Sequence, residues 1–122
     1  MKTFNKSKGA DGEKLAASYL ISNGYRILAK NFVTEVGEID IIATDEEYLV
    51  FVEVKTRFNT DFGRAAEAVD YAKQKKISLV ASQYINKFGL FDVPVRFDVI
   101  EIYLQSFEIN HIENAFDSFL RY

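Results

Sequence analysis

The stretch Tyr48–Lys55, with the sequence YLVFVEVK, decides the fold of this chain. It is almost unbroken in hydrophobicity and rich in β-branched residues, a composition typical of a strand that is covered on both faces. We therefore expect a central strand here. Because successive side chains of a strand alternate between faces, Glu53 and Lys55 share one face and the valines share the other.

The sequence on either side of this strand predicts two long helices and further strands. The predicted elements are a helix over Asp11–Asn23 ended by Gly24, strands over Tyr25–Phe32 and Gly37–Ala43, a helix over Ala65–Asn86, a strand over Val95–Leu104, a short strand over Phe107–Ile112 and a short helix over Ala115–Leu120. The polar turn Asp45–Glu47 indicates a hairpin, and the second helix is long enough to join parallel strands. We expect an α/β fold of three layers, with a central mixed β-sheet flanked by helices, in a single domain over residues 1–122.

Composition narrows the chemistry of any site. The chain has no Cys and one His, which excludes disulfides and thiolate zinc sites, so a bound metal would be a hard cation held by oxygens. The net charge of −3 argues against a general electrostatic affinity for nucleic acid, although a local basic patch is compatible with it. The sequence shows neither a signal peptide nor a membrane-spanning apolar run, and we expect a cytoplasmic protein without membrane contact.

Two carboxylates are expected to meet across the predicted hairpin. If its strands pair around Asp45–Glu47, Asp40 on one strand comes within reach of Glu53 on the next. An Asp and a Glu that converge at strand ends suit Mg²⁺ or Mn²⁺, and Lys55 could orient a water molecule or neutralise a phosphate. The alternative is a salt bridge from Lys55 to Glu53 or Asp40 that merely closes the sheet edge.

These residues carry a family resemblance. Asp40 followed by Glu53-Val54-Lys55 resembles the D…(D/E)xK signature of the restriction-endonuclease-like superfamily, which includes archaeal Holliday-junction resolvases. A longer series runs Gly12-Glu13-x-x-Ala16, Gly24-Tyr25, Asn31, GEIDIIA over 37–43, FVEVKTR over 51–57, Phe62-Gly63, Lys73 and RFDV over 96–99. This series resembles the YraN family of small bacterial proteins and covers most of the chain. The resemblance implies a restriction-endonuclease-like fold.

The resemblance also implies roles for particular residues. Asp40 and Glu53 would bind Mg²⁺ or Mn²⁺ and act in catalysis together with Lys55, and Glu13 on the first helix would join the metal site. A Glu in a first helical turn is equally explained by the helix dipole. Arg57, Lys73 and Gln74 are the candidate nucleic-acid contacts, with a solvated helix face as the alternative for the latter two.

Three functions remain open from the sequence. The leading hypothesis is a metal-dependent nuclease that acts on nucleic acid, DNA before RNA, and forms a homodimer if it cuts branched substrates symmetrically. The second is a non-catalytic nucleic-acid-binding module of the same fold. The third is a protein-interaction subunit that uses the aromatic residues of its tail, Phe107, Phe116, Phe119 and Tyr122.

Overall fold

The structure, a computed structural model, describes residues 2–58 and 69–117, with side chains described from Asp11 onward. Its elements in chain order are α1 (Lys2–Ser22), β1 (Arg26–Val33), β2 (Glu38–Thr44), β3 (Leu49–Arg57), α2 (Tyr71–Phe88), β4 (Val95–Tyr103) and β5 (Glu108–Ile112). The order of helices and strands follows the sequence prediction through β5.

The five strands form one mixed sheet in the order β1-β2-β3-β4-β5, which places β3 at its centre as predicted. The pairs β1–β2, β2–β3 and β4–β5 are antiparallel, whereas β3 and β4 run parallel. The predicted hairpin between β2 and β3 is therefore confirmed, and α2 lies in the connection between the parallel strands. A parallel pair needs such a long crossover, because a tight turn can only reverse the chain.

Each face of the sheet is covered by one helix. On one face α2 packs through Ile77, Val80 and Ile85 on Leu49 and Phe51 of β3. On the other face the buried residues are Ala16, Ala17 and Leu20 of α1 with Val50, Val52, Ile41, Ala43, Ile100 and Ile102 of the sheet. The predicted alternation along β3 and the three-layer α/β fold with a central mixed sheet are both confirmed.

The helix boundaries differ from the predicted ones for identifiable reasons. α1 begins at Lys2, not Asp11. The prediction missed residues 2–10 because Phe4 is their one large apolar residue, so their sequence shows no apolar stripe. Val69 and Asp70 lie outside α2, although the predicted helix included them; the Asp70 carboxylate accepts a hydrogen bond from the Lys73 backbone N–H and begins the helix at Tyr71. Residues 59–68, where a loop and the predicted helix start would fall, lie outside the described residues.

The tail was predicted in part. The short strand near Phe107–Ile112 is confirmed as β5, but Ala115–Asp117 are not helical, and 118–120 lie outside the described residues. Phe116 stacks on Phe97 with ring centroids 5.2 Å apart and so belongs to the core, whereas Phe107 is 74% exposed. Phe119 and Tyr122 also fall outside the described residues. Within the described ranges, no helix has the length and hydropathy needed to cross a membrane.

A buried ion pair on β4 lies on the α1 face of the sheet, opposite the face that carries Glu53. The Asp98 carboxylate accepts two hydrogen bonds from Arg96, one from the Asn114 backbone N–H and lies 2.7 Å from Nε2 of His111. The other ring nitrogen of His111 is 2.9 Å from the Tyr19 hydroxyl. Burial would raise the pKa of Asp98, but the His111 and Arg96 hydrogen bonds hold it below its usual value. This network joins α1, β4 and β5.

Candidate active site

Asp40 lies where β2 and β3 separate. The backbone pairing of the two strands ends at Ile41 and Val52, and beyond it Oδ2 of Asp40 accepts a hydrogen bond of 2.8 Å from the Val54 N–H. The carboxylate thus takes the place of a backbone carbonyl. The regular alternation of side chains along β2 is broken here. Ile39 packs on the α2 face and Ile41 on the α1 face, although residues two apart in a regular strand share one face.

Glu53 is the second carboxyl group of the site. Its side chain is 9% exposed and lies on the α2 face of β3. Burial raises the pKa of Glu53 to about 8, and the hydrogen bond and negative charge of Asp40 act in the same direction. The Asp40 carboxylate therefore lies close enough to Glu53 to oppose its ionisation. Two carboxylates this close cannot both ionise cheaply without a cation between or beside them.

Two lysines lie beside this carboxyl pair. Nζ of Lys73, from the first turn of α2, is 3.8 Å from Oε1 of Glu53. Burial and the neighbouring Lys73 lower the pKa of Lys55. Burial alone would lower the pKa of Lys73 too, but its hydrogen bond to Lys55 and the charges of Glu53 and Asp40 raise it. The pKa of Lys55 is thus lowered and that of Lys73 raised, so a shared proton is favoured on Lys73.

Glu13 of α1 approaches the site from the opposite face. Burial and the nearby Asp40 carboxylate raise the pKa of Glu13, and a hydrogen bond to Asn31 acts against them. Asn31 has a positive φ of 52°, a conformation that Asn tolerates better than most residues, and it lies in β1 opposite the β2 segment that holds Asp40. Glu13 is within electrostatic reach of Asp40, and its role as a metal ligand stays a prediction.

The close packing of α1 on β3 fixes the position of Glu13. Gly12 is buried, and a Cβ built on it would overlap the Thr56 hydroxyl and lie 3.3 Å from Thr56 Cβ. We expect Gly12→Ala to destabilise the protein by about 1–2 kcal/mol, because overpacking outweighs the better helix propensity of Ala. Urea unfolding measures this change. Adding Thr56→Ala to Gly12→Ala should restore part of the lost stability. A Gly12→Ala protein more stable than wild type would contradict the tight packing of α1 on β3.

The candidate nucleic-acid contacts have different surroundings. Lys73 faces Glu53, as described above. Arg57 Nε lies 3.6 Å from Oε2 of Glu101, and the Gln74 side chain donates a hydrogen bond of 3.0 Å to the Val69 carbonyl. Glu101 was missed in the sequence, although a Glu inside the apolar strand β4 is the same kind of signal as Glu53 inside β3.

The donor set fits a cation that completes its shell with other ligands. In the described part of the chain, no three His, Cys, Asp or Glu side chains form a group that could hold a metal by themselves. Mg²⁺ is usually bound by one or two carboxylates, several waters and substrate phosphates, so it does not need such a group. The adjoining carboxyl groups of Asp40 and Glu53, with Glu53 costly to ionise alone, fit Mg²⁺ or Mn²⁺ by their chemistry.

The raised pKa of Glu53 has a measurable consequence in metal-free protein. A carboxyl group with a higher pKa when folded stabilises the fold fully below its unfolded pKa, and this contribution is lost as the pH rises through the folded value. Between about pH 4.5 and 8, wild-type protein in EDTA should therefore lose stability relative to Glu53→Gln. Urea unfolding of both proteins across this range measures the difference. A difference that does not change with pH would mean that Glu53 is not protonated in the folded state.

The whole candidate site lies inside the range that one protein-family model matches. The model of the uncharacterised protein family UPF0102 matches residues 12–102. This chain belongs to the UPF0102 family. The matched range includes Glu13, Asp40, Glu53, Lys55 and Lys73. UPF0102 is the YraN family, so the family resemblance found in the sequence is confirmed.

UPF0102 relatives match this chain over nearly their full length. The UPF0102 protein of Clostridioides difficile (strain 630) is 55% identical over 112 residues, which cover 92% of this chain and 98% of the relative. The UPF0102 protein of Alkaliphilus oremlandii (strain OhILAs) is 53% identical over 117 residues, covering 93% and 100%. That of Clostridium botulinum (strain Alaska E43 / Type E3) is 48% identical over 120 residues, covering 95% and 98%.

Among solved structures, this UPF0102 protein is distantly similar to SfsA of Pyrococcus furiosus, determined in complex with Ca²⁺. The match has a TM-score of 0.37 and 14% sequence identity, and it covers 89% of this chain and 63% of SfsA. At this level of similarity the match carries no argument about function.

Proposed function

We propose that this protein is a metal-dependent nuclease that hydrolyses phosphodiester bonds in nucleic acid. The observation that carries the proposal is the proximity of the Asp40 and Glu53 carboxyl groups where β2 and β3 separate, with Lys55 and Lys73 beside them. Glu53 is buried and Asp40 half-buried, and two such carboxyl groups next to each other are expensive to maintain for stability alone. Strongly perturbed ionisable groups that cluster in this way are typical of functional sites.

Asp40 and Glu53 would hold Mg²⁺ or Mn²⁺. When bound, the ion supplies positive charge to the phosphate and lowers the pKa of a bound water. The chain prepares Asp40 for this task, because the Val54 N–H holds its Oδ2 in place. The strands β2 and β3 provide a rigid support for both carboxylates, which favours a fixed metal position.

Lys55 would act on the attacking water or on the phosphate. Since its pKa is lowered by burial and by Lys73, it can accept a proton from water more readily than an ordinary lysine. Lys73 keeps its charge and would stabilise the negative phosphate oxygens. The two lysines therefore divide the work of proton transfer and charge stabilisation.

DNA is the substrate we would test first. Arg57, at the end of β3, and Lys73 and Gln74, in the first turn of α2, are the candidate contacts to its backbone, and Lys73 is the one that lies at the carboxyl pair. Because the net charge of the protein is −3, its overall electrostatic field would not attract a phosphate backbone, and binding would depend on these local side chains. A homodimer would suit symmetric cutting of branched DNA.

A cleavage assay tests the proposal. Labelled single-stranded, duplex, flap and four-way-junction DNA, together with RNA, are incubated with Mg²⁺ or Mn²⁺ and with wild type, Asp40→Asn or Lys55→Ala. Cutting that disappears in both variants supports the nuclease and identifies its substrate. Absence of cutting with retained binding in a native gel favours the non-catalytic binding module, and absence of both contradicts a role on these nucleic acids.

A further inference from the structure

The carboxylate of Glu101 is buried beside the candidate site and has no role in the mechanism described above. Glu101 pairs with Lys55 in the register of β3 and β4, so both side chains lie on the same face of the sheet. Only 1% of the Glu101 side chain is exposed. Its Oε1 accepts hydrogen bonds of 3.0 Å from the Tyr103 hydroxyl and of 3.0 Å from the Asn110 amide.

The other oxygen of Glu101 faces Arg57. Oε2 of Glu101 and Nε of Arg57 are 3.6 Å apart, and both atoms are buried without a hydrogen-bond partner among the residues that the structure describes. A buried carboxylate is costly unless a cation lies beside it, and Arg57 is the cation here. Attraction to Glu101 therefore holds the Nε side of the Arg57 guanidinium in place. The Arg57 side chain is nevertheless 33% exposed, and since Nε is buried this exposure belongs to its other atoms.

The orientation suits recognition of a phosphate. A guanidinium has five N–H donors, and only one of them is on Nε, so the terminal nitrogens can bind an oxyanion in a bidentate manner. Arg57 follows Glu53 by four residues on the same face of β3, which corresponds to roughly 13 Å along the strand. At that separation its guanidinium reaches a different phosphate from the one beside Glu53.

We infer that Glu101 is a positioning residue, which aims Arg57 at a phosphate that flanks the one to be cut. The inference rests on the proposed function, because it requires a nucleic-acid strand across the face of β3 that carries Glu53, Lys55 and Arg57. Glu101 itself touches no phosphate. It restricts the guanidinium before binding and so reduces the entropy that Arg57 loses when the strand binds.

The test measures binding of a short labelled DNA duplex without divalent metal, so that nothing is cut, between about 50 and 200 mM salt. Arg57→Gln should weaken binding about tenfold and reduce the slope of log affinity against log salt by about 0.9, the value for one lost phosphate contact. Glu101→Gln should weaken binding by about threefold to tenfold but keep the wild-type slope, because Arg57 retains its charge. In the Arg57→Gln background, Glu101→Gln should have no further effect.

The control is Glu108→Gln, which removes the same charge from an exposed position on β5 and should leave binding equal or slightly tighter. Tighter or unchanged binding by Glu101→Gln would overturn the inference. Such a result would mean that removing the carboxylate only reduces repulsion of the DNA and does not disturb the position of Arg57. Equal weakening in the presence and absence of Arg57 would also overturn it. If Glu101→Gln does not fold, Glu101→Asp replaces it, with the same expected weakening because the shorter side chain withdraws the charge from Nε.

The outcomes separate this inference from the proposed function. Wild-type protein that binds no DNA or RNA at all contradicts both. Wild-type protein that binds, with a salt slope unchanged by Arg57→Gln, contradicts only the role of Arg57 and Glu101.

Discussion

Asp40→Asn is expected to lower Mg²⁺-dependent cleavage by roughly a thousandfold, because removal of a metal-binding carboxylate costs several kcal/mol of transition-state stabilisation. The fold should survive the change. The Asn carbonyl oxygen can still accept the hydrogen bond that Asp40 receives from the Val54 N–H, so the support of β3 is kept while the charge is lost. Initial cleavage rates on the preferred substrate, at saturating Mg²⁺, measure the effect.

Two further variants make this result specific. Asp40→Ala removes the acceptor as well and leaves the Val54 N–H without it, so it should lose both activity and stability. Glu46→Gln removes one negative charge from the exposed turn between β2 and β3 and should keep wild-type activity. If Asp40→Asn cuts as fast as Glu46→Gln, the Asp40 carboxylate has no part in catalysis.

Asp98→Ala is expected to destabilise the protein by about 3–5 kcal/mol, because it leaves the buried Arg96 guanidinium without its main counter-charge. Arg96 has 10% of its side chain exposed, and its remaining ion pairs, to Asp45 at 3.7 Å and to Glu113 at 3.6 Å, are longer than its 2.9 Å contact with Asp98. Urea unfolding at neutral pH measures the loss. Metal binding at a temperature well below unfolding should not change, because Asp98 lies outside the Asp40–Glu53 pair.

The pH dependence of this effect has the opposite sign to that of Glu53. The pKa of Asp98 is lowered in the folded protein, so its stabilisation is present at neutral pH and is lost as the pH falls through the folded value. Asp98→Asn should therefore converge with wild type in acid. Asp92→Asn, an exposed position in the loop before β4, serves as the control and should unfold like wild type at every pH.

The parts of the fold that follow from local pattern could be predicted. Tyr48–Lys55 has the composition of a buried strand, and its period of two correctly places Glu53 and Lys55 opposite the valines. The Asp45–Glu47 turn predicted the hairpin that brings Asp40 towards Glu53. These features depend on residues that are close together in the sequence, and the alternation of polar and apolar residues predicts such local structure best.

Features that depend on contacts between distant residues could not be predicted. The break in alternation between Ile39 and Ile41 arises because the Asp40 side chain replaces a ladder hydrogen bond of β3, which no period within β2 reveals. The pairing of Arg57 with Glu101 requires the parallel register of β3 and β4. The sequence could have drawn attention to Glu101 only as a charge within an apolar strand.

The most direct measurement is a Mn²⁺ titration of wild type and of Asp40→Asn, with free Mn²⁺ followed by electron paramagnetic resonance. We expect wild type to bind Mn²⁺, Mg²⁺ to displace it in competition, and Asp40→Asn to lose the binding while its unfolding curve remains cooperative. The readout does not depend on finding the right substrate. Wild type that binds no Mn²⁺, or Asp40→Asn that binds as wild type does, would contradict a metal site formed by Asp40 and Glu53.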